Sequence, residues 1–133
     1  MKAVFADTFY YLALLNRHDA AHELADEVAR TVTGPKVTTS WVLTELGDAL
    51  ATPRQRGLFV ELVGRLRADP TLTIVPASDE LFGRGFDLYA SRADKGWSMT
   101  DCTSFVVMRD HGLTEALTGE RHFEQAGFEA LLA

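Results

Sequence analysis

The stretch KAVFADTFYYLALL, residues 2–15, sets the pattern that the rest of the chain follows. Its first part, residues 2–6, is a short apolar run of the kind that forms a buried strand. From Thr8 to Leu15, aromatic residues and leucines recur at helical spacing. Asp7 stands at the junction. The stretch therefore predicts a strand that leads directly into a helix, with a carboxylate between them.

The alternation of strand and helix continues to residue 117. Gly34-Pro35 and Asp69-Pro70 are helix-ending pairs, and Ser40 is the predicted N-cap of the third helix. Thr52-Pro53 is the predicted start of the fourth helix, because proline suits a first helical turn. Predicted strands cover residues 2–6, 36–39, 72–75 and 115–117, and predicted helices cover residues 8–15, 22–32, 40 to about 51, 52–68, 78–92 and 99–111.

Short, continuously apolar strands that alternate with helices indicate an α/β fold with a parallel sheet sandwiched by helices. With 133 residues, of which 47% are hydrophobic, we expect one domain over residues 1–133. The predicted buried stripes are Leu24, Val28 and Val32 in the second helix, and Leu58, Leu62, Val63 and Leu66 in the fourth.

Composition narrows the function classes. No stretch approaches the roughly 18 apolar residues of a transmembrane helix, and with no signal-peptide pattern at the N-terminus we expect a cytoplasmic protein. The single cysteine, Cys102, excludes an internal disulfide and is expected to be a buried free thiol. The net charge of −6 argues against nucleic-acid binding by overall charge, so such binding would need local help from bound cations.

Four acids stand out: Asp7, Glu45, Asp101 and Glu120. Asp7 and Glu120 follow predicted strands, where ligands gather in parallel sheets. Glu45 is expected within the apolar face of its helix, where an unpaired carboxylate is costly. Ordinary structural roles stay open, since Asp7 fits a helix cap and Ser98 to Asp101 fits a capping box. Four clustered carboxylates would repel one another without cations, so clustering would imply a bound metal.

Four segments together resemble the PIN-domain family of metal-dependent ribonucleases, and within it the VapC-type toxins of toxin-antitoxin pairs. They are FADTFYYLALLNRHDAAHELA, TTSWVLTELGDAL, DKGWSMTDCTSFVVM and ALTGERHFEQAGFEAL, in that order over nearly the whole chain. The resemblance implies a three-layer α/β/α fold and an acidic pocket that binds Mg²⁺ or Mn²⁺. It also implies hydrolysis of phosphodiester bonds in single-stranded or structured RNA, and a cognate antitoxin and a homodimer as partners.

Carried over by position, the family's acids fall on Asp7, Glu45 and Asp101, with Glu120 where the family usually has Asp. The resulting hypothesis is that Asp7 and Asp101 hold the principal metal. Glu45 would help hold it or orient the attacking water, and Glu120 would support a second ion, through water if its longer side chain requires it.

The predicted substrate contacts are two hydroxyls and two cations. The family's hydroxyls match Thr8 and Thr100, whereas Arg92 and Lys95 precede the third motif and are candidates for the phosphate backbone. For each of them, a local structural role or a solvated loop is the competing interpretation.

Three other functions stay open at this point. One is a housekeeping RNA-processing nuclease of the same fold, and another is a catalytically inactive binding module. The third is a zinc hydrolase, since His18 and His22 stand four apart, as zinc ligands on a helix do. That pair would require the helix to begin before His18. The sequence alone does not name the RNA target.

Overall fold

A computed structural model describes residues 2–133 and contains a five-stranded parallel sheet in the order β3-β2-β1-β4-β5. The strands are β1 Val4–Ala6, β2 Lys36–Thr39, β3 Leu72–Val75, β4 Glu115–Leu117 and β5 Glu129–Ala130. The helices that flank the sheet are α1 Thr8–Leu15, α2 His22–Thr31, α3 Ser40–Ala49, α4 Arg56–Ala68, α5 Asp79–Ser91, α6 Met99–Asp110 and α7 Arg121–Gln125. The predicted three-layer α/β/α sandwich is confirmed.

The order of the strands fixes where a ligand site belongs. From β1 the chain builds outward to β2 and β3 on one side, and later to β4 and β5 on the other. Phe5 pairs with Ala116 and Ala6 with Leu117, so β1 and β4 end side by side. A crevice forms where the strand order reverses, beyond the carboxyl ends of the strands. Asp7 therefore follows β1 at the switch point of the sheet.

The core centres on three aromatic side chains from separate elements, Phe5 of β1, Phe105 of α6 and Phe123 of α7, each fully buried. The ring centroids of Phe105 and Phe123 lie 5.0 Å apart, edge to face. Trp97 packs on Phe105 in the same manner, with ring centroids 5.1 Å apart. This cluster ties α7 and the loop before α6 to the sheet, and so fixes the start of α6.

The N-cap of one helix and the start of another differ from the prediction. Thr39, and not Ser40, is the N-cap of α3, because its hydroxyl accepts a hydrogen bond from the Val42 amide. Helix α4 begins at Arg56, whereas Thr52-Pro53 lies in the preceding turn, where the Gln55 amide donates to the Thr52 carbonyl. The first strand also begins later, at Val4.

The predicted buried stripes were wrong at Leu24 and Leu58, which are 39% and 44% exposed. In α2 the buried positions are Ala25 and Val28. In α4 the side chain of Phe59 packs against the core, beside Leu62 and Leu66. In each helix the residue after the mispredicted leucine, Ala25 or Phe59, therefore faces the core in its place, whereas Val28, Leu62 and Leu66 face the core as predicted.

The C-terminal part contains two elements that the sequence did not predict, α7 and β5. Both are very short, and β5 extends the sheet by pairing Glu129 and Ala130 with β4. Cys102 is a buried free thiol, as expected, and burial raises the pKa of the thiol. Within residues 2–133, no helix is long and apolar enough to span a membrane.

Candidate active site

Four predicted acids line one depression of about 370 Å³, which we call the acidic pocket: Asp7, Glu45, Asp101 and Glu120. Asp7 precedes α1, Glu45 lies on α3, Asp101 is in the first turn of α6, and Glu120 follows β4. The fold therefore brings together carboxylates that are up to 113 residues apart in sequence, at the switch point of the sheet.

Asp7 is the most buried of these acids, with 4% of its surface exposed. It occupies the N-cap position of α1, but its side chain makes no capping hydrogen bond. Instead Oδ2 accepts a hydrogen bond of 2.8 Å from the Thr118 hydroxyl. Burial raises the pKa of Asp7 to about 7, and the charges of Asp101 and Glu45 add to the rise; hydrogen bonds from Thr118 and the Thr8 backbone oppose it. Its ionised form is thus poorly solvated by the protein.

Asp101 lies in a contrasting environment, because it takes part in the predicted capping box. The Ser98 hydroxyl accepts from the Asp101 amide, and Asp101 Oδ2 accepts from the Ser98 amide, each at 3.0 Å. The same Oδ2 lies 2.8 Å from Nδ1 of His122. The start of α6 therefore holds this carboxylate in the pocket with hydrogen bonds that suit its ionised form.

Glu45 and Glu120 form the more open side of the pocket. Glu45 is half-buried, and not within a fully buried face as predicted, because only Val42 and Leu46 of α3 are buried. Glu120 is exposed, and its amide donates to the Thr118 hydroxyl at 3.1 Å. Thr118 therefore links Asp7 to the backbone of Glu120.

Gly119 allows the Glu120 loop to approach α1 closely. A Cβ atom at residue 119 would lie 2.5 Å from the ring of Phe9, which also lines the acidic pocket. A side chain at this position would push the loop and the ring apart. The glycine thus keeps Glu120 beside the residues that follow β1.

Of the two predicted hydroxyls, only Thr8 lines the acidic pocket, whereas Thr100 does not. The Thr8 hydroxyl is buried and has no hydrogen-bond partner within the described residues. A buried hydroxyl without a partner is costly, so Thr8 has a free polar group to offer a ligand. Thr100 instead uses its backbone carbonyl to accept from Thr103 within α6.

The two predicted cations, Arg92 and Lys95, line a separate depression of about 630 Å³, here called the basic groove, with residues 89–90, 93 and 96–99. The basic groove meets the acidic pocket at Ser98, which lines both. Arg92 forms two hydrogen bonds with Asp94 and lies 5.0 Å above the Trp97 ring. Lys95 is 3.7 Å from the same carboxylate. The cations are thus beside the acids but partly neutralised.

Two residues of the site were not predicted: Thr118, which is buried and bonded to Asp7, and His122, which lines the acidic pocket. Thr118 was identifiable as the residue directly after β4, at the level of Asp7 in the neighbouring strand. His122 was visible two residues after Glu120, in the motif TGERHF, but without the structure nothing linked it to Asp101.

The donor set of the acidic pocket fits a hard divalent cation, because carboxylate oxygens are the ligands that Mg²⁺ and Mn²⁺ prefer. The buried Asp7, whose charge is poorly satisfied by the protein, supports the fit. Across residues 2–133, however, no three His, Cys, Asp or Glu side chains are close enough to form a preformed metal cluster. Mg²⁺ tolerates such an open set, since it usually keeps several waters and takes only one or two carboxylates.

The histidine pair considered for zinc does not have the required arrangement. Helix α2 begins at His22, so His18 lies in the preceding turn and not one helical turn away on the same face. Nδ1 of His22 lies 2.7 Å from the Ala13 carbonyl oxygen, a contact that ties α2 to α1. The imidazole of His22 thus has a structural explanation.

Comparison with known proteins agrees with the geometry. No protein-family model matches the chain. The 23S rRNA-specific endonuclease VapC20 of Mycobacterium tuberculosis, from strains CDC 1551 and H37Rv, is 26% identical over 125 residues, covering 94% of this chain and 95% of VapC20. Its crystal structure, described as that of a sarcin-ricin loop cleaving toxin, superposes with a TM-score of 0.86 at 25% identity over the same shares of both chains.

The chain is thus similar in sequence and in fold to a VapC-type toxin over nearly its whole length. The crystal structure of FitAcB from Neisseria gonorrhoeae also matches, with a TM-score of 0.63 over 96% of this chain and 95% of that one. At 17% identity this second likeness concerns the fold alone. Among VapC-type proteins the match to VapC20 therefore carries the functional argument.

Proposed function

We propose that the chain is an endoribonuclease that uses Mg²⁺ or Mn²⁺, and that it is the toxin of a toxin-antitoxin pair. The observation that carries the proposal is the acidic pocket, with four acids from four segments at the switch point of a VapC20-like fold. The likeness to VapC20, a 23S rRNA-specific endonuclease, covers 95% of that protein and favours this function over a housekeeping nuclease or an inactive binding module.

In this proposal Asp7 and Asp101 would hold the principal metal, Glu45 would help to hold it or orient the attacking water, and Glu120 would support a second ion through water. Such a cation, when bound, lowers the pKa of a water molecule and stabilises charge on the attacking and leaving oxygens. Thr118 fixes the carboxylate of Asp7 through its hydroxyl. The half-buried position of Glu45 leaves its carboxylate accessible to water at the rim of the pocket.

We propose a structured RNA as the substrate, and the sarcin-ricin loop as the first RNA to test, because VapC20 cleaves it. Arg92 and Lys95 would contact phosphates that flank the cleaved bond, since the basic groove joins the acidic pocket at Ser98. The Thr8 hydroxyl, buried and unpartnered, would donate to phosphate or metal-bound water. Thr100 is the least supported contact because it does not line the pocket.

The proposed protein partners are a cognate antitoxin and a second copy of the chain. An antitoxin would block the acidic pocket most directly with a basic side chain, because that pocket gathers four acids in a protein of net charge −6. Co-expression with the product of a neighbouring small reading frame should relieve growth arrest and yield a stable complex.

The function is tested with purified protein and an RNA hairpin of the sarcin-ricin loop. We expect cleavage at one site with Mg²⁺ or Mn²⁺, and none after chelation with EDTA. Glu45→Gln should reduce the rate about 100-fold, since it removes a charge that acts in the transition state. Persistence of full cleavage in EDTA would contradict the metal-dependent mechanism.

The matched control is Asp48→Asn, one turn further along α3. Asp48 is exposed and lines a different depression, so its neutralisation changes the net charge equally without touching the acidic pocket. Cleavage by Asp48→Asn should equal that of the wild type. An equal loss in both variants would indicate a general charge effect and not a role for Glu45.

A further inference from the structure

His122 belongs to the acidic pocket but has no part in the function proposed above. It lies on α7, and its side chain is 33% exposed at the edge of the pocket. Its Nδ1 atom is 2.8 Å from Asp101 Oδ2, across 21 residues of sequence. The neighbouring Phe123 is fully buried in the core, so the backbone that carries His122 is firmly anchored.

The direction of this hydrogen bond follows from chemistry. A carboxylate that binds a metal is ionised and only accepts, so in that state Nδ1 carries the proton and donates to Oδ2. The Ser98 amide donates to the same oxygen at 3.0 Å. Both side-chain hydrogen bonds of Asp101 therefore end on Oδ2, which leaves Oδ1 without a protein donor among the described residues.

Two hydrogen-bond donors from different elements restrain the carboxylate of Asp101 more than a single donor does. The Ser98 amide fixes Oδ2 relative to α6, but a single hydrogen bond still permits rotation of the carboxylate plane. The imidazole of His122, which comes from α7, adds a second restraint from another direction. Groups that orient a metal ligand in this way raise its affinity for the metal.

We propose that His122 is a positioning residue, which holds Asp101 through Oδ2 so that Oδ1 remains available to the divalent cation. This inference rests on the proposed function, because it assumes that Asp101 is a metal ligand. It assigns His122 an effect on metal affinity and none on the contact with RNA. The donor at the position of Nδ1 is what matters, not the imidazole itself.

The test measures Mn²⁺ binding by titration calorimetry in the absence of RNA. His122→Ala and His122→Phe remove the donor, and should raise the Mn²⁺ dissociation constant about tenfold or more. His122→Asn places an amide N–H near the position of Nδ1, so it should stay within about threefold of the wild type. Steady-state cleavage should show an altered Mn²⁺ requirement but an unchanged KM for RNA.

The controls separate this inference from folding and from the proposed function. His18→Ala changes an exposed histidine outside the pocket and should bind Mn²⁺ as the wild type does. If His122→Ala fails to fold, the Phe and Asn variants carry the test alone. Wild-type affinity in the Phe variant, or equal weakening in Phe and Asn, would overturn the positioning role alone. Absence of Mn²⁺ binding by the wild type would overturn the proposed function, and this role with it.

Discussion

The starts of α1 and α6 carry the same residue type in the same pocket, but they treat it differently. Asp101 is part of a capping box, and its carboxylate accepts hydrogen bonds from Ser98 and His122. Asp7 stands at the N-cap of α1 without capping it, is almost fully buried, and has the Thr118 hydroxyl as its side-chain donor. Position at a helix start alone therefore does not determine how a carboxylate is stabilised.

The difference suggests a division of roles in the acidic pocket. The protein holds the carboxylate of Asp101 with two hydrogen bonds to Oδ2, whereas burial opposes the ionised form of Asp7. Under the proposed function, a bound cation would stabilise the negative charge of Asp7, which the protein itself stabilises poorly. Asp101, at the start of α6, is then a ligand that hydrogen bonds already hold in place. Asp7, at the start of α1, is a ligand whose ionised form is stabilised only when the metal binds.

The largest expected effect is the loss of RNA cleavage when either acid is neutralised by mutation. Asp7→Asn and Asp101→Asn should both reduce cleavage of the sarcin-ricin hairpin about 1000-fold or more, because ligands of a catalytic cation support several kcal/mol of charge stabilisation. Single-turnover rates at saturating Mg²⁺ measure the effect. Retention of cleavage in the Asp7 variant would mean that the buried carboxylate is structural and that Asp101 acts without it.

The second effect is the dependence of protein stability on the ionisation of Asp7. The pKa of Asp7 is raised to about 7 in the folded state, above its value of 3.8 when unperturbed. A raised pKa contributes stability that is complete below about pH 4 and is lost as the pH rises through 7. Metal-free protein should therefore lose about 2–4 kcal/mol between pH 4 and pH 8, since one pKa unit corresponds to about 1.36 kcal/mol.

Urea unfolding in EDTA over this pH range measures the second effect. Asp7→Asn should be more stable than the wild type at pH 8, with a flatter pH dependence, because its amide still accepts from Thr118 and carries no charge. Saturating Mg²⁺ should recover part of the wild-type loss. A wild-type protein whose stability is independent of pH over this range would refute the account of Asp7.

Much of the fold and of the site was predictable, because the strands, the helix ends and one helix cap are encoded by short stretches of the sequence. Continuous apolar strands, Pro-containing stops and the Ser98 cap are local signals, and each of these elements was predicted close to its position. The contacts that were missed are not local. Thr118 reaches Asp7 over 111 residues, and His122 reaches Asp101 through the docking of α7. Which of two neighbouring apolar residues faces the core, Leu58 or Phe59, also depends on the packing partners of the helix and not on its own pattern.

The third prediction concerns a mutation in α5, which should displace the start of α6 but not the start of α1. Gly85 of α5 lies against α6, where an added Cβ would be 2.6 Å from the Thr103 methyl group and 3.3 Å from its backbone. Gly85→Ala should therefore cost about 1–3 kcal/mol of stability, as overpacking does. It should also weaken Mn²⁺ binding, because Thr103 is two residues from Asp101.

The control for Gly85 lies in the same helix. An added Cβ at Gly83 meets nothing within 4 Å, so Gly83→Ala should stabilise the protein by about 0.5–1 kcal/mol through helix propensity. Urea unfolding of both variants compares them directly. Equal effects at residues 83 and 85 would show that α5 and α6 are not in close contact at Thr103.

The smallest effect separates the cap of α6 from its proposed role in metal binding. Ser98→Ala removes the hydroxyl that accepts from the Asp101 amide, but it keeps the Ser98 amide that donates to the carboxylate. Ser78→Ala removes the equivalent cap of α5, where the hydroxyl accepts from the Leu81 amide, away from the pocket. Each variant should lose about 1 kcal/mol in thermal or urea unfolding.

Since the carboxylate of Asp101 keeps both of its donors in Ser98→Ala, Mn²⁺ affinity should change little in either variant. A large loss of affinity in Ser98→Ala alone would mean that the cap, and not the pair of donors on Oδ2, sets the position of Asp101.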